Sequence, residues 1–562
     1  MKPLDLLIHN VQIADVVRQR LYLGWVGIAQ GQFQYVEEGP LPNHLQTQQI
    51  LDGQGQILTP GLIDSHMHIE SSLTTPRRFA EAVLPHGTTS VLADPHEMAN
   101  VLGAAGVRYM VEAAQGLPLR MFTAIPSCVP ATDGLETALG SITAEDVRAL
   151  MQLPGVIALG ELMDYQGLAH GSQRLKHLIE TAREAGLLLE GHTPTLGGTV
   201  LSDYAAHGIT SDHTLSTPEK LLEQLTKGFT VMLQEKSLNR AVVEAVLALP
   251  DRARVLLVTD DVMPNRLISG HLSRVVQLAM SLGWPAMDAL ASATLRPAMY
   301  LRRPELGLIA PGRKADFLLM ESLSAFPPRA VYVEGVEVAR SGQSTFALPS
   351  PLPPPTGGKL KRPRFRPEDF QFPIADGSHP TRIIRMNQQN TFTRLETHAI
   401  AFKSREPTDP SLATIGVFQR QGHKPGALGL LAGLGLRSGA FASSLAHDSH
   451  HLLVVGRSPQ RLAQAANALL DLGGGMVFAD GEQTLTLPLP IAGLISDAPT
   501  SEVAVAFDTI ENALRANGVD HKNPVLFLTL LTLTVSPEVK MSDLGLVDVE
   551  ARRIIPLFEQ RP

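Results

Sequence analysis

The chain has 562 residues, 44% of them hydrophobic and 18% charged, with a formal net charge of −8 and a single cysteine, Cys128. At roughly 150 residues per domain this length suggests about three or four structural units with ample core, and the acidic balance offers no face for nucleic acid. One cysteine excludes internal disulfides, cysteine-rich zinc sites and iron–sulfur clusters, so any metal must be held mainly by histidines and carboxylates.

In chain order, the residues up to Asp15 carry Asp5 and His9 inside an apolar pattern and lack the uninterrupted core of a signal peptide. Residues 4–58 alternate apolar and polar in short runs with turns near Gly31 and Gly39, which reads as small β structure. Pro60-Gly61-Leu62-Ile63-Asp64-Ser65-His66-Met67-His68 is then a short apolar run ending at two histidines that share one face of a strand. From 60 to 304, short apolar runs such as Thr89–Ala93, Val156–Gly160 and Val255–Thr259 alternate with helical patterns, the signature of a (β/α)8 barrel. Residues 305–345 hold a hairpin pattern and are expected to join 1–59 in a β-sandwich interrupted by the barrel. A linker rich in proline, glycine and basic residues occupies 346–365, and 366–562 form a C-terminal α+β domain in which Gly473-Gly474-Gly475 reads as a turn. The longest apolar stretch, Pro524 to Val535, contains three threonines and is too short to span a bilayer. A cytoplasmic protein acting on a small molecule, with no nucleic acid or membrane partner, is the expectation, and a two-fold homodimer is the default assembly.

Metal ligands in a barrel must come from the ends of different strands. Glu161, His192, His213 and Asp260 each follow an apolar run, and together with His66 and His68 they make four imidazoles and two carboxylates. That donor set suits divalent Zn, Mn or Fe, and a carboxylate between two cations can bridge them. Asp260, placed to touch metal and accept a proton from water, is the first candidate for general base. A second cluster, Asp94-Pro95-His96-Glu97, has two readings: an acid at the barrel mouth that protonates a ring nitrogen or leaving group, or a helix start with acidic residues in its first turn. The polar knot Ser443 to His451 also has two, a solvated surface or a segment folded back over the barrel mouth.

These residues resemble the amidohydrolase superfamily, and more closely the adenine deaminases of bacterial type. The likeness runs over nearly the whole chain. It takes in Pro60 to His68, Asp94 to Glu97, Pro126 to Thr132, Gly160-Glu161, Thr259-Asp260-Asp261, Gly270-His271, Ala310 to Asp316, Ala446 to His450 and Leu487 to Gly493. The resemblance implies a binuclear centre of Mn or Fe, with Zn as the third choice. His66, His68 and Asp260 would ligate one metal, His192 and His213 the other, and Glu161 would bridge. Many relatives bridge with a carbamylated lysine, whereas Glu161 points to the adenine deaminase branch. Implied chemistry is attack of hydroxide at C6 of adenine, proton transfer to Asp260, and loss of ammonia to give hypoxanthine. Asp94, His96 and Glu97 are the candidate acids, and His447, Asp448, His450 and Ser237 the candidate substrate contacts. Three departures from the family pattern bear on substrate. Thr214 stands where Asp-His-Glu is expected, Gln234-Glu235-Lys236-Ser237 where Arg-Glu-Gly-Ser is expected, and His451 where asparagine is usual. Another aminated heterocycle or cyclic amide is therefore the alternative substrate, and a binding protein without turnover the more distant one. His68-Ile69-Glu70 matches half of the cytidine-deaminase signature, but its Pro-Cys-x-x-Cys partner cannot exist in a chain with one cysteine.

Overall fold

The structure is a computed structural model that describes residues 3–43, 45–387, 392–422 and 426–559. Eight parallel strands form the (β/α)8 barrel: Leu62–His68, Thr88–Ala93, Arg120–Ile125, Val156–Leu162, Leu188–Gly191, Ser211–Asp212, Thr230–Leu233 and the last run, Val255–Leu257 with Asp260–Asp261. The last run pairs with Thr230–Leu233 through Val255–Leu257 and with the first strand through Asp260–Asp261, which closes the ring on that side. Between Leu188–Gly191 and Ser211–Asp212 the closure is made by side chains, Ser211 Oγ accepting from Gly191 N at 3.0 Å and Asp212 Oδ1 from Thr193 N at 2.8 Å. All seven residues of Leu62–His68 are buried, as expected of a strand covered on both faces.

The helices between strands begin where the sequence supplies caps. Thr143 forms a capping box with Asp146, and Ser172, Thr217 and Asn239 each accept a backbone N–H in the first turn of the helix that follows. Strands from both flanks of the barrel share one nine-stranded sheet, joined where Ile57–Pro60 runs antiparallel to Phe317–Met320. Leu6, Ile8, Phe33, Phe317 and Tyr332 lie in one apolar cluster there.

The C-terminal part has a second nine-stranded sheet, the helices Pro459–Leu472 and Thr500–Ala516, and a small three-stranded sheet from Val539–Ser542 to Arg553–Ile555. The triple glycine ends the first of these helices, Gly473 taking φ of 73° at its C-cap. This part packs directly on the barrel. Leu73 and Phe79 share an apolar cluster with Ile495 and Val503, Arg77 pairs with Asp497, Thr132 Oγ1 meets Thr534 Oγ1 at 2.6 Å, and Arg552 pairs with Asp164. No helix among the described residues is long and apolar enough to cross a membrane.

Arg420 is a fully buried arginine without a carboxylate partner. Its Nε donates to His450 O at 2.8 Å, Nη1 to Gly358 O and Ala492 O at 2.6 and 2.7 Å, and Nη2 to Ser444 O at 2.6 Å. One guanidinium thus ties the linker, the loop before Gly493 and both ends of Ser444–His450 together. Replacing it with methionine leaves four buried carbonyls short of a donor, so Arg420→Met is expected to cost about 3 kcal/mol or more and, for a chain of this length unfolding as one unit, lower the thermal midpoint by about 2.5 °C or more. Calorimetric unfolding checks this, and a midpoint within about 0.5 °C of the parent would mean the carbonyls find other partners.

Candidate active site at the barrel mouth

His66, His68, Glu161, His192, His213 and Asp260 meet at the C-terminal ends of the barrel strands. Glu161 stands at the centre with its two oxygens facing different histidines. Oε1 is 3.4 Å from His68 Nε2 and 3.7 Å from His96 Nδ1, while Oε2 is 2.6 Å from His192 Nδ1 and 3.3 Å from His213 Nε2. Asp260 Oδ1 is 3.3 Å from His68 Nε2 and 3.9 Å from His66 Nε2. The His66 and His213 rings stack with centroids 3.6 Å apart. Asp260 takes φ of 61°, a left-handed conformation that aspartate tolerates better than most residues, at the interruption of the last barrel strand.

Neighbours fix these groups. His68 Nδ1 lies 3.0 Å from the Asp94 carbonyl, which places the proton on Nδ1 and leaves Nε2 a lone pair toward Glu161 and Asp260. Asp94 Oδ2 accepts the Glu161 backbone N–H at 3.0 Å, and a Cβ on Gly160 would stand 2.1 Å from that oxygen, so only glycine fits before Glu161. Gln234 Nε2 donates to His213 O at 2.8 Å. Burial works against charge on Glu161, but the His213 and His192 imidazoles hold its carboxyl well below the usual range. Burial likewise opposes charge on Asp260, and Lys236 and His68 outweigh it.

The donor set fits divalent metal. Ligand-type atoms of His66, His68 and Asp260 lie within 4.8 Å of one another, as do those of His66, Glu161 and His213 and those of His68, His96 and Glu161. His66 Nε2 and His96 Nδ1 are buried without a hydrogen-bond partner, a costly condition that a cation would relieve.

The remaining predicted residues divide. His96 stands beside Glu161 and thus belongs to the cluster rather than to a separate acid. Glu97 is no free acid: His447 Nδ1 stands 2.8 Å from its Oε1, and His450 Nε2 bonds to its Oε2. Burial opposes ionisation of Glu97, yet His447 and His450 carry it well below the usual range. His450 also accepts the Ala446 N–H at Nδ1, at 3.1 Å, which leaves it no ring nitrogen for a substrate. Ser237 is fully buried and its Oγ accepts the Ser216 N–H at 3.1 Å, so it holds a loop rather than a ligand. His447 and Asp448 stand over the mouth, folded back from the C-terminal part, and each keeps an unpartnered buried atom.

Sequence reasoning missed Glu190, whose Oε1 accepts from Tyr300 OH and whose Oε2 lies 3.8 Å from His66 Nδ1. Its signal was present: Glu190 lies on the strand Leu188–Gly191 two residues before His192, the same spacing as His66 and His68. It also missed Asp64, which accepts from Thr259 Oγ1 at 2.6 Å and ties the first strand to the last beneath the cluster.

Residues 57–338 match the amidohydrolase family and 390–553 the adenine deaminase C-terminal domain. Adenine deaminase 2 of Carboxydothermus hydrogenoformans is 37% identical over 99% of this chain and 97% of its own. Adenine deaminase of Syntrophobacter fumaroxidans is 39% identical over 91% of this chain and 89% of its own. Among solved structures, an enamidase of the amidohydrolase superfamily covers 61% of this chain and 98% of its own at 18% identity, with a TM-score of 0.46. On the near full-length identity and the two matched regions, the chain belongs to the adenine deaminase family of the amidohydrolase superfamily.

Proposed function

We propose that the chain deaminates adenine hydrolytically to hypoxanthine and ammonia, as its relatives' names describe, in the service of purine salvage. The observation that carries the chemistry is Glu161, one carboxylate whose two oxygens face two separate groups of imidazoles, as a group bridging two cations must. His66, His68 and Asp260 would hold one divalent ion, His192 and His213 the other, and His96 stands next to Glu161 on the outer side. The donor types suit manganese or iron, with zinc the third choice. When bound, the ions supply Lewis acidity and make water nucleophilic at neutral pH.

The chain's own groups do the rest. Asp260 is held as a carboxylate and has Lys236 Nζ 3.5 Å from Oδ2, so it is placed to accept the proton of the water that adds to C6. That proton passes on to the departing exocyclic amine, and ammonia leaves. His68, oriented through the Asp94 carbonyl, keeps its lone pair toward the centre throughout. The C-terminal loop covers one side of the mouth, and the burial of Glu161 and Asp260 strengthens each of these interactions.

Enzyme reconstituted with Mn(II) or Fe(II) is expected to release ammonia from adenine, and Asp260→Asn to lower kcat by about 10²- to 10⁴-fold. Turnover of a different heterocycle with adenine inert under every metal would sink the adenine assignment and leave the superfamily chemistry. Chelated protein should gain thermal stability with added Mn(II), by roughly 2.7 kcal/mol for each ion bound at a concentration 100 times its Kd. The gain should weaken as pH falls, starting above the ordinary imidazole range: burial opposes charge on His66 and His68, but the carboxylates around them raise their affinity for the protons that metal must displace. Glu161→Gln should bind fewer than two ions per chain by metal analysis; two ions retained would remove Glu161 from the bridge.

A further inference from the structure

His447 and Asp448 are supplied by the C-terminal part and are 4% and 2% exposed. Each presents an atom without a hydrogen-bond partner, Nε2 of His447 and Oδ2 of Asp448. On His447, Nδ1 donates to Glu97 Oε1 at 2.8 Å, so the ring is held from one side and its other nitrogen is free. Glu97 outweighs the effect of burial and carries His447 up to about 9, which leaves a proton on Nε2 at neutral pH. A carboxylate oxygen of Asp448 lies within 4.8 Å of a ring nitrogen of His96 and of Glu97, and its Oδ1 is 3.7 Å from His447 Nδ1. Adjacent residues thus offer a donor and an acceptor, both buried and unmatched, next to His96 and Glu97. Buried polar atoms of this kind cost free energy unless something arrives to pair with them.

The free base adenine carries the complementary pair, the acceptor N3 next to the donor N9–H, on the edge remote from C6. With C6 toward Glu161 and Asp260, the edge remote from C6 is the part of the ring left for groups that approach the cluster beside His96 and Glu97, as Asp448 does. We propose that His447 Nε2 donates to N3 and Asp448 Oδ2 accepts N9–H, so that the C-terminal domain selects the free base over its nucleoside. A sugar on N9 removes that hydrogen and leaves Asp448 buried without a donor, the kind of mismatch that gives large discrimination. This assignment rests on adenine as substrate, and it makes His447 and Asp448 substrate-contacting groups while Glu97 and His450 position them.

The test pairs variants with substrates that lack one atom of the edge. Metal-loaded wild type, His447→Phe and Asp448→Leu are compared on adenine, 3-deazaadenine and 9-methyladenine, with metal content and thermal midpoint measured as folding controls. His447→Phe, which keeps a ring but removes the donor, should lower kcat/KM on adenine about 10- to 100-fold, mostly through KM, and have little further effect on 3-deazaadenine. Asp448→Leu, which removes the acceptor, should do the same on adenine and little on 9-methyladenine, narrowing the preference for the base. An equal loss on all three substrates overturns the proposal. Calorimetric titration of unsubstituted purine, which has no amine to lose, separates this from the activity itself. If wild type binds purine and the variants bind it about tenfold more weakly while adenine is not turned over, the contacts stand and the deaminase reading falls. If all three proteins bind purine equally, or none binds it, the contacts fall.

Discussion

Burying a carboxylate is expensive unless an opposite charge or a donor meets it, and Glu161, Asp260 and Glu97 are 2%, 7% and 1% exposed. That constraint organises the molecule. Glu161 and Asp260 are met by imidazoles that arrive from other strands, so the strands must end at matching heights. Leu62–His68 is therefore paired on one side with Thr88–Ala93 and on the other with Asp260–Asp261, and Asp64 and Thr259 lock that last pairing from below. Even the left-handed backbone at Asp260 makes sense as the local adjustment that presents its carboxylate to two histidines.

Within the barrel Glu97 has His96 Nε2 at 3.7 Å from Oε1, too far for a hydrogen bond. Its two oxygens are met by His447 and His450, which belong to a loop some 350 residues further along the chain. The C-terminal part is thus a structural requirement of the barrel mouth, and it is anchored accordingly. Arg420 binds both ends of the loop through carbonyls, and Thr137 on the barrel side meets His451 Nε2 at 2.8 Å and Asp543 Oδ2 at 2.7 Å. The histidine at 451, where the family pattern leads one to expect asparagine, is therefore used: it accepts the Arg420 N–H and reaches across to Thr137.

The barrel and its six central residues were legible because strand-end position is a local property: an apolar run followed by histidine or carboxylate shows in sequence. The roles of Asp94 and Glu97 were not, since they depend on which atoms lie opposite. Asp94 gives Oδ2 to the Glu161 backbone and keeps Oδ1 buried and unpartnered 3.7 Å from His96 Nδ1, and Glu97 is consumed by two imidazoles from a distant loop. The knot from Ser443 to His451 looked the same as a solvated turn until the fold brought it over the barrel. Arg420 carried no signal at all, because its partners are backbone carbonyls, which every residue has.

The departures from the family pattern can now be weighed by where they lie. Thr214 donates to Asp212, and Lys220 pairs with both, Nζ to Asp212 Oδ2 at 2.9 Å and to Thr214 Oγ1 at 2.5 Å. That knot lies behind His213, so the loss of a carboxylate there is absorbed next to the metal ligand and not presented to a substrate. Gln234 is used in the same way, supporting the His213 backbone, and Glu235 is paired with Arg266 at 2.5 Å. Lys236 differs from all of these. Its side chain is 60% exposed, and its ammonium reaches Asp260 Oδ2 from the open side of the site. A cation there favours the ionised form of the proposed base. Of the changed positions, Lys236 is the one through which rate or substrate preference would be altered, and the others chiefly preserve the ligands they adjoin.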